Sequence, residues 1–312
     1  MNRREVVLSL KNPDTATPYI PAAFFTHFDP TFHRGQAAID KHLEFFRYTE
    51  MDFVKIQYET KFPNRPEIIK PADWEKMPCY GADFYEDAWH IAEGLVAEAG
   101  KDALVLMTLY SPFMCAGHSI GKDALMTHFQ EDSEKTRKGI EIITDSLMIF
   151  VKGCIARGID GFYHSTQGGE TDRFGGTPIF DTCIKPYDLA LMEEINTQCE
   201  FNILHVCDYW GGYTDLTPFL DYPGDVVNSS LTLGEKTLSA KEVSGMFGRP
   251  FMGSLDRHGI ITTGSLADIE AAVEAACEDA PSKFMLGADC TLPSEIDWEN
   301  IKTAVEAAHR QR

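Results

Sequence analysis

A single-domain (β/α)8 (TIM) barrel, α/β in class and spanning residues 1–312, is the fold this chain predicts. Three observations carry that expectation. Eight short apolar runs are spread along the whole chain, and helical periodicity fills the intervals between them. No linker, repeat or low-complexity tract divides the 312 residues, a length that suits one large barrel. Eight strands, each followed by helix, is the count of such a barrel. An open doubly wound sheet is the alternative, but no G-x-G-x-x-G turn follows the first strand.

The first strand is expected at 19–25 (YIPAAFF), followed by the helical stretch AAIDKHLEFFRY. The second, 53–58 (FVKIQY), leads into a long irregular segment over 59–83 and then YEDAWHIAEGLVAEAG, where Gly100 is a helix-stop signal. The third, 103–110 (ALVLMTLY), precedes an irregular stretch at 110–121 and a long helix within 132–158. The fourth and fifth are 161–166 (GFYHST) and 201–207 (FNILHVC). Strands at 226–230 (VVNSS), 251–256 (FMGSLD) and 284–290 (FMLGADC) follow. SLADIEAAVEAACED opens with Ser265 and Asp268 in capping-box spacing, and DWENIKTAVEAAHRQR closes the chain. The strands are short and largely apolar, as parallel strands covered on both faces should be. Both irregular segments follow strands, and on a barrel those loops cover the active-site face.

The charge balance narrows the partners. With 48 acidic and 28 basic residues the formal net charge is −20. There is no basic excess to meet phosphates, which argues against nucleic acid and anionic membranes and, more weakly, against a polyanionic substrate. No segment is apolar enough for a signal peptide or a membrane span, so a cytoplasmic protein is expected. The eight cysteines do not form the dense pattern of a secreted disulfide framework, and those in polar clusters become metal or catalytic candidates.

One such cluster starts in FNILHVCDYW. In a strand, residues i and i+2 share a face, so His205 and Cys207 point the same way at the strand's C-terminal end. Ten His and eight Cys in 312 residues give roughly 0.26 such pairs by composition, so the spacing alone is weak. The eighth strand adds Cys290 at its own C-terminal end. In a closed barrel both mouths open into one cavity, where His205, Cys207 and Cys290 would supply three ligands of types that suit Zn2+ and leave a fourth position open.

Further polar residues fall at strand ends. Gln57 and Glu59 straddle the end of the second strand, with Glu59 a candidate fourth ligand or proton handler. Tyr110 ends the third, and His164 and Gln167 flank the end of the fourth. Asp256 and His258 follow the seventh, where Asp256 is placed to orient His205 or, equally, to cap a turn. His27 and His33 lie after the first strand beside Asp29, where a structural role is the simpler reading. Cys154 and Cys277 sit in helical periodicity, Cys183 and Cys199 flank a helix, and Cys79 and Cys115 lie in loops; none has a ligand-spaced partner.

The segments LHVCDYW, PFLDYPGDVVN, GRPFMGSLDRHGIITTGS and FMLGADCTLPSEIDWENIKTAVEAAH together resemble the C-terminal half of the uroporphyrinogen decarboxylase superfamily. More narrowly they resemble its zinc-dependent methyltransferase branch, typified by methylcobalamin:coenzyme M methyltransferases. RREVVLSLKNPD, IARGIDGFYHSTQGGE and IFDTCIKPYDLALMEEI fit the same family. The resemblance implies a (β/α)8 barrel, an H-x-C…C zinc motif matched by His205, Cys207 and Cys290, and methyl transfer from a corrinoid to a thiol or pterin. No D-x-H-x-x-G element is present, DRHGII being the nearest stretch, so the corrinoid would come on a separate partner protein. Two departures disfavour the decarboxylases themselves. Their Arg-rich segment after the first strand is replaced by AAFFTHFDPTFHRGQAA, with Arg34 alone, and Gly287-Ala288-Asp289-Cys290 lacks the expected His. A cofactor-free decarboxylase and a non-catalytic corrinoid or porphyrin carrier remain the alternatives.

Overall fold

The computed structural model describes residues 1–57, 59–170, 173–174 and 176–311. In chain order it runs α1 (Arg3–Leu8), α2 (Gly35–Thr49), β1 (Phe53–Ile56), α3 (Ala82–Ala99), β2 (Leu104–Tyr110) and α4 (Pro112–Ile120). Then come α5 (Lys122–Glu131), α6 (Ser133–Ile155), β3 (Gly161–Thr166), α7 (Lys185–Gln198), β4 (Ile203–Val206) and β5 (Val226–Ser229). A small antiparallel ribbon, β6 (Thr232–Leu233) with β7 (Lys236–Thr237), precedes α8 (Ala240–Phe247) and β8 (Phe251–Leu255). The chain ends with α9 (Ile260–Thr263), α10 (Leu266–Glu278), β9 (Phe284–Ala288) and α11 (Trp298–His309).

Seven strands form one parallel sheet in the order β1-β2-β3-β4-β5-β8-β9. β4 and β9 are three strand spacings apart, about 14 Å on a flat sheet. Yet side chains just beyond their ends touch, with Cys207 Sγ 4.0 Å from Cys290 Sγ. The sheet is therefore curled, and the ends of β4 and β9 face each other across its concave side. Asn228 on β5 spans the same concavity: its amide accepts from Tyr163 on β3 (2.6 Å) and donates to Ala288 O on β9 (3.0 Å).

The regular sheet thus has seven strands where the sequence predicts eight. The predicted first strand, 19–25, forms only isolated bridges, Ala22 to Leu286 and, just beyond it, Thr26 to Leu292. The physical cause lies at two residues. Pro21 has no N–H to give a ladder, and the Ala22 N–H donates instead to the buried carboxylate of Asp52 at 2.7 Å. Asp52 also accepts from Tyr19 Oη (2.7 Å) and lies 2.8 Å from His309 Nε2, tying this segment to α11. The segment still follows β9, through Ala23 N to Leu286 O and Leu286 N to Pro21 O.

The other strands begin or end within two residues of their predicted limits, except that Tyr58, in the predicted run 53–58, lies outside the described residues. The Ser265–Asp268 capping box forms as read. The expected irregular stretch 110–121 is instead α4. Ser111 caps it through Met114 N and Pro112 opens it, but its residues PFMCAGHSI are buried nearly all round. Nine mostly apolar residues directly after an apolar strand leave no polar flank to set a helix apart in the sequence.

Candidate metal centre

The concave face of the curled sheet collects polar side chains at the C-terminal ends of its strands. His205 is the last inward residue of β4, and Cys207 follows one turn of the pleat later. Cys290 lies two residues past β9. Their ligand atoms all lie within 4.8 Å of one another, and among the described residues no other His, Cys, Asp or Glu joins the group. His205 Nε2 is 3.4 Å from Cys290 Sγ. All three are buried, and Met114 and Tyr110 pack over the sulfurs.

The donor set and spacing fit zinc. Tetrahedral zinc with two thiolates and an imidazole separates its sulfurs by about 3.8 Å and sulfur from nitrogen by about 3.6 Å, given ordinary bond lengths. The side chains stand at 4.0 and 3.4 Å before any adjustment. Two buried polar atoms here, His205 Nδ1 and Gln167 Oε1, have no hydrogen-bond partner. The thiols are also coupled. The hydrogen bond between them draws Cys207 below the usual thiol value and pushes Cys290 well above it, with burial adding to the latter. Cys207 is thus the sulfur that ionises more easily of the two, and a second thiolate beside it would require a cation.

Neighbouring groups hold these three side chains. Gln167 donates from Nε2 to Cys207 Sγ at 3.3 Å, and the Tyr163 ring lies against the His205 imidazole at 5.0 Å between centroids. Arg257, which the sequence reading missed, bridges the two thiol-bearing segments. Its Nη1 donates to Asp208 (2.7 Å), next to Cys207, and to Asp289 (3.0 Å), next to Cys290. Its backbone N–H also donates to Asp289 at 2.8 Å. A motif search had no reason to weigh Arg257, since the contact depends on three segments far apart in sequence.

Glu59 lies outside the ligand group. Its carboxylate meets His27 Nδ1 at 2.9 and 3.0 Å, with His33 Nε2 at 3.8 Å. Its charge nonetheless reaches Tyr110, whose phenol is held above the ordinary value first by burial and then by Glu59. His118 on α4, another residue missed in a helix that had no pattern, lies edge-on to Tyr110 with its Nδ1 buried and unpartnered; burial lowers it to about 4. The remaining cysteines are free, and none belongs to a ligand group among the described residues.

Three sequence candidates point elsewhere. Asp256 is exposed, and its carboxylate caps a turn by accepting from His258 N at 2.8 Å; it does not reach His205, and His258 is exposed too. His164 alternates with Tyr163 and Ser165 on β3, so it faces away from the ligands toward α7. There its Nε2 is 4.0 Å from Asp188, and neither of its nitrogens has a hydrogen-bond partner. Burial lowers His164 to about 3 and lifts Asp188 to about 7, against the bonds Asp188 accepts from Thr166 and Tyr222. The two are therefore a neutral imidazole beside a carboxyl that resists ionising, not an ion pair.

A pH dependence follows. Asp188 in the folded state titrates above its unfolded value of about 3.9. It thus contributes stability that is full below about pH 4 and is lost as pH rises through about 7. Asp188→Asn keeps an oxygen for Thr166 and Tyr222 and offers its NH2 toward His164. In urea unfolding the variant is expected to lose this part of the pH dependence and to be more stable than the parent at pH 8. Equal slopes between pH 4 and 8 would show that the carboxyl ionises without cost.

The family model for uroporphyrinogen decarboxylase (URO-D) matches residues 50–311. The chain belongs to this family. Among solved structures, a methyltransferase from Methanosarcina mazei superposes with a TM-score of 0.80 at 14% identity, covering 99% of each chain. A B12-independent methionine synthase from Shewanella sp. W3-18-1, in complex with selenomethionine, superposes with a TM-score of 0.56 at 12% identity, covering 94% of this chain and 97% of that one. At these identities the likeness is one of fold. No curated protein gives a significant match to the sequence. Among the described residues no helix is long and apolar enough to cross a membrane.

Proposed function

We propose that this member of the family is a zinc-dependent methyltransferase that moves a methyl group between a corrinoid on a separate partner protein and a small thiol or pterin acceptor. The observation that carries the reading is the buried cluster of His205, Cys207 and Cys290, three ligands with a fourth position left for substrate. The fold shared with a methyltransferase supports it. The same reading takes residues 20–26 as the eighth wall of the barrel, since they hydrogen-bond to β9 on one side and to Asp52, just before β1, on the other.

When bound, zinc supplies a Lewis acid that lowers the pKa of an acceptor thiol or polarises a pterin. The chain's own residues do the rest. His205, Cys207 and Cys290 hold the centre, and Gln167 keeps Cys207 directed into it. Tyr110, kept protonated by its surroundings, packs its ring over the sulfurs and shields them from water. Glu59 with His27, whose ring is partly exposed, can pass an acceptor's proton toward solvent. His164, Asp256 and His258 take no part in the chemistry in this reading.

Porphyrinogen decarboxylation fits less well. A polycarboxylate needs free guanidinium groups, but Arg257 and Arg173 are each tied to carboxylates and Arg34 is exposed at the start of α2. Elemental analysis of the purified protein is expected to find one zinc per chain, and incubation with methylcobalamin and a panel of thiols and pterins to bleach the methyl-corrinoid spectrum. A metal-free protein that decarboxylates a porphyrinogen would overturn the proposal. Tight corrinoid binding without turnover of any acceptor would point to a carrier instead.

A further inference from the structure

Lys55 is a lysine where lysines are rarely found. It lies on β1, 7% exposed, with its side chain on the concave face. Its Nζ donates to Gln57 Oε1 at 2.6 Å and rests over the rings of Phe25 (4.5 Å) and Tyr163 (4.8 Å). The same Tyr163 ring packs on the His205 imidazole, so ammonium, phenol ring and metal ligand form one contiguous stack. Among the described residues no carboxylate lies within ion-pair distance of Lys55. Burying an ammonium without an anion is costly, and ring faces and one amide offset only part of that cost. Burial lowers Lys55 to about 7, and the groups whose field opposes that fall and favours its charged form are Cys290, Glu59 and Cys207. Glu59 is already met by His27, which leaves the two sulfurs.

We infer that Lys55 is a positioning residue that supplies the counter-charge for an anionic fourth ligand at the His205–Cys207–Cys290 centre. This rests on the zinc reading above. A divalent cation, two thiolates and a neutral imidazole sum to zero charge, so a neutral fourth ligand needs no compensation. A thiolate in the fourth position brings the buried centre to one net negative charge, which the low-dielectric interior penalises unless a cation stands nearby. Arg257 cannot serve, because Asp208 and Asp289 already neutralise it. Among the described residues Lys55 is the buried cation that no carboxylate meets, and its charge discriminates between fourth ligands by their sign.

The test loads the parent protein and Lys55→Met anaerobically with Co(II), whose visible bands report the ligand sphere, and titrates each with 2-mercaptoethanol and with imidazole. Lys55→Met is expected to weaken mercaptoethanol binding about 10-fold or more, with imidazole and Co(II) affinities held within about two-fold. The metal-free variant is expected to melt no lower than the parent, because an unpaired buried charge has been removed. Lys55→Gln, which keeps a polar end, serves in the same titrations if the methionine variant does not fold. Equal weakening of both ligands, or a clearly lowered melting temperature, would make Lys55 a structural residue and overturn the inference. Failure of the parent protein itself to bind Co(II) would instead remove the metal reading on which the inference stands.

Discussion

Replacing Cys290 with serine is expected to abolish stoichiometric zinc binding and to cut methyl transfer on the order of 10³-fold, a loss of several kcal/mol of transition-state stabilisation. The reason is where the three side chains of the proposed centre come from. His205 and Cys207 come from one strand end two residues apart, a local pair that any parallel strand of this sequence would present. Cys290 arrives from just past β9, 83 residues further on, and it alone completes the proposed three-ligand centre. A serine hydroxyl keeps nearly the same volume but is a far weaker zinc ligand at neutral pH than a thiolate. The fold should not depend on the change, since Cys290 packs in a small patch with Cys207, Met114 and Tyr110 outside the main core. The metal-free variant is therefore expected to unfold in urea within about 1 kcal/mol of the parent. Zinc content by elemental analysis, alongside activity, checks the claim. A variant that retains one zinc per chain would show that the metal sits elsewhere.

Much of this architecture was legible in the sequence because parallel strands and their covering helices write strong periodic signals. The clustering of His205, Cys207 and Cys290 was legible for a different reason: strand alternation and the rule that barrel chemistry sits at strand C-termini place the three side chains together once the fold is assumed. What escaped had no local signature. The run 19–25 looks like a strand in composition, but Pro21 has no N–H to give and the Asp52 carboxylate takes the Ala22 N–H that a strand would use. α4 was invisible because it is short and mostly apolar and follows directly on the apolar run of β2. Asp256 and His258 stood at the right strand end, yet the turn they form consumes Asp256 within two residues. Lys55 did leave a trace. Phe53, Lys55 and Gln57 share one face of an otherwise apolar strand, and two polar groups on that face mark an inward side that is not simply core.

Arg257→Met is expected to weaken zinc affinity by about 10- to 100-fold, the usual effect of removing a group that orients metal ligands. Asp208 follows Cys207 and Asp289 precedes Cys290, so each thiol ligand carries a neighbouring carboxylate. Both carboxylates converge on one guanidinium at 2.7 and 3.0 Å, and this shared cation holds the two sulfurs in register. Without it, two largely buried carboxylates face each other next to two sulfurs, and like-charge repulsion pushes the segments apart. Arg257→Lys restores the charge but not the fork that meets two acceptors and should recover only part of the affinity. The pH dependence separates this role from simple packing. Burial already lifts the Asp289 carboxyl above its ordinary value while Arg257 opposes the rise, so removing Arg257 lifts it further. A raised carboxyl contributes stability at low pH that is lost as pH rises through its folded value. The metal-free Arg257→Met protein should therefore lose more stability relative to the parent at pH 8 than at pH 5, and Asp208→Asn in the same background should return part of it. If the loss is equal at both pH values, Arg257 acts through its methylene stem and not through its charge.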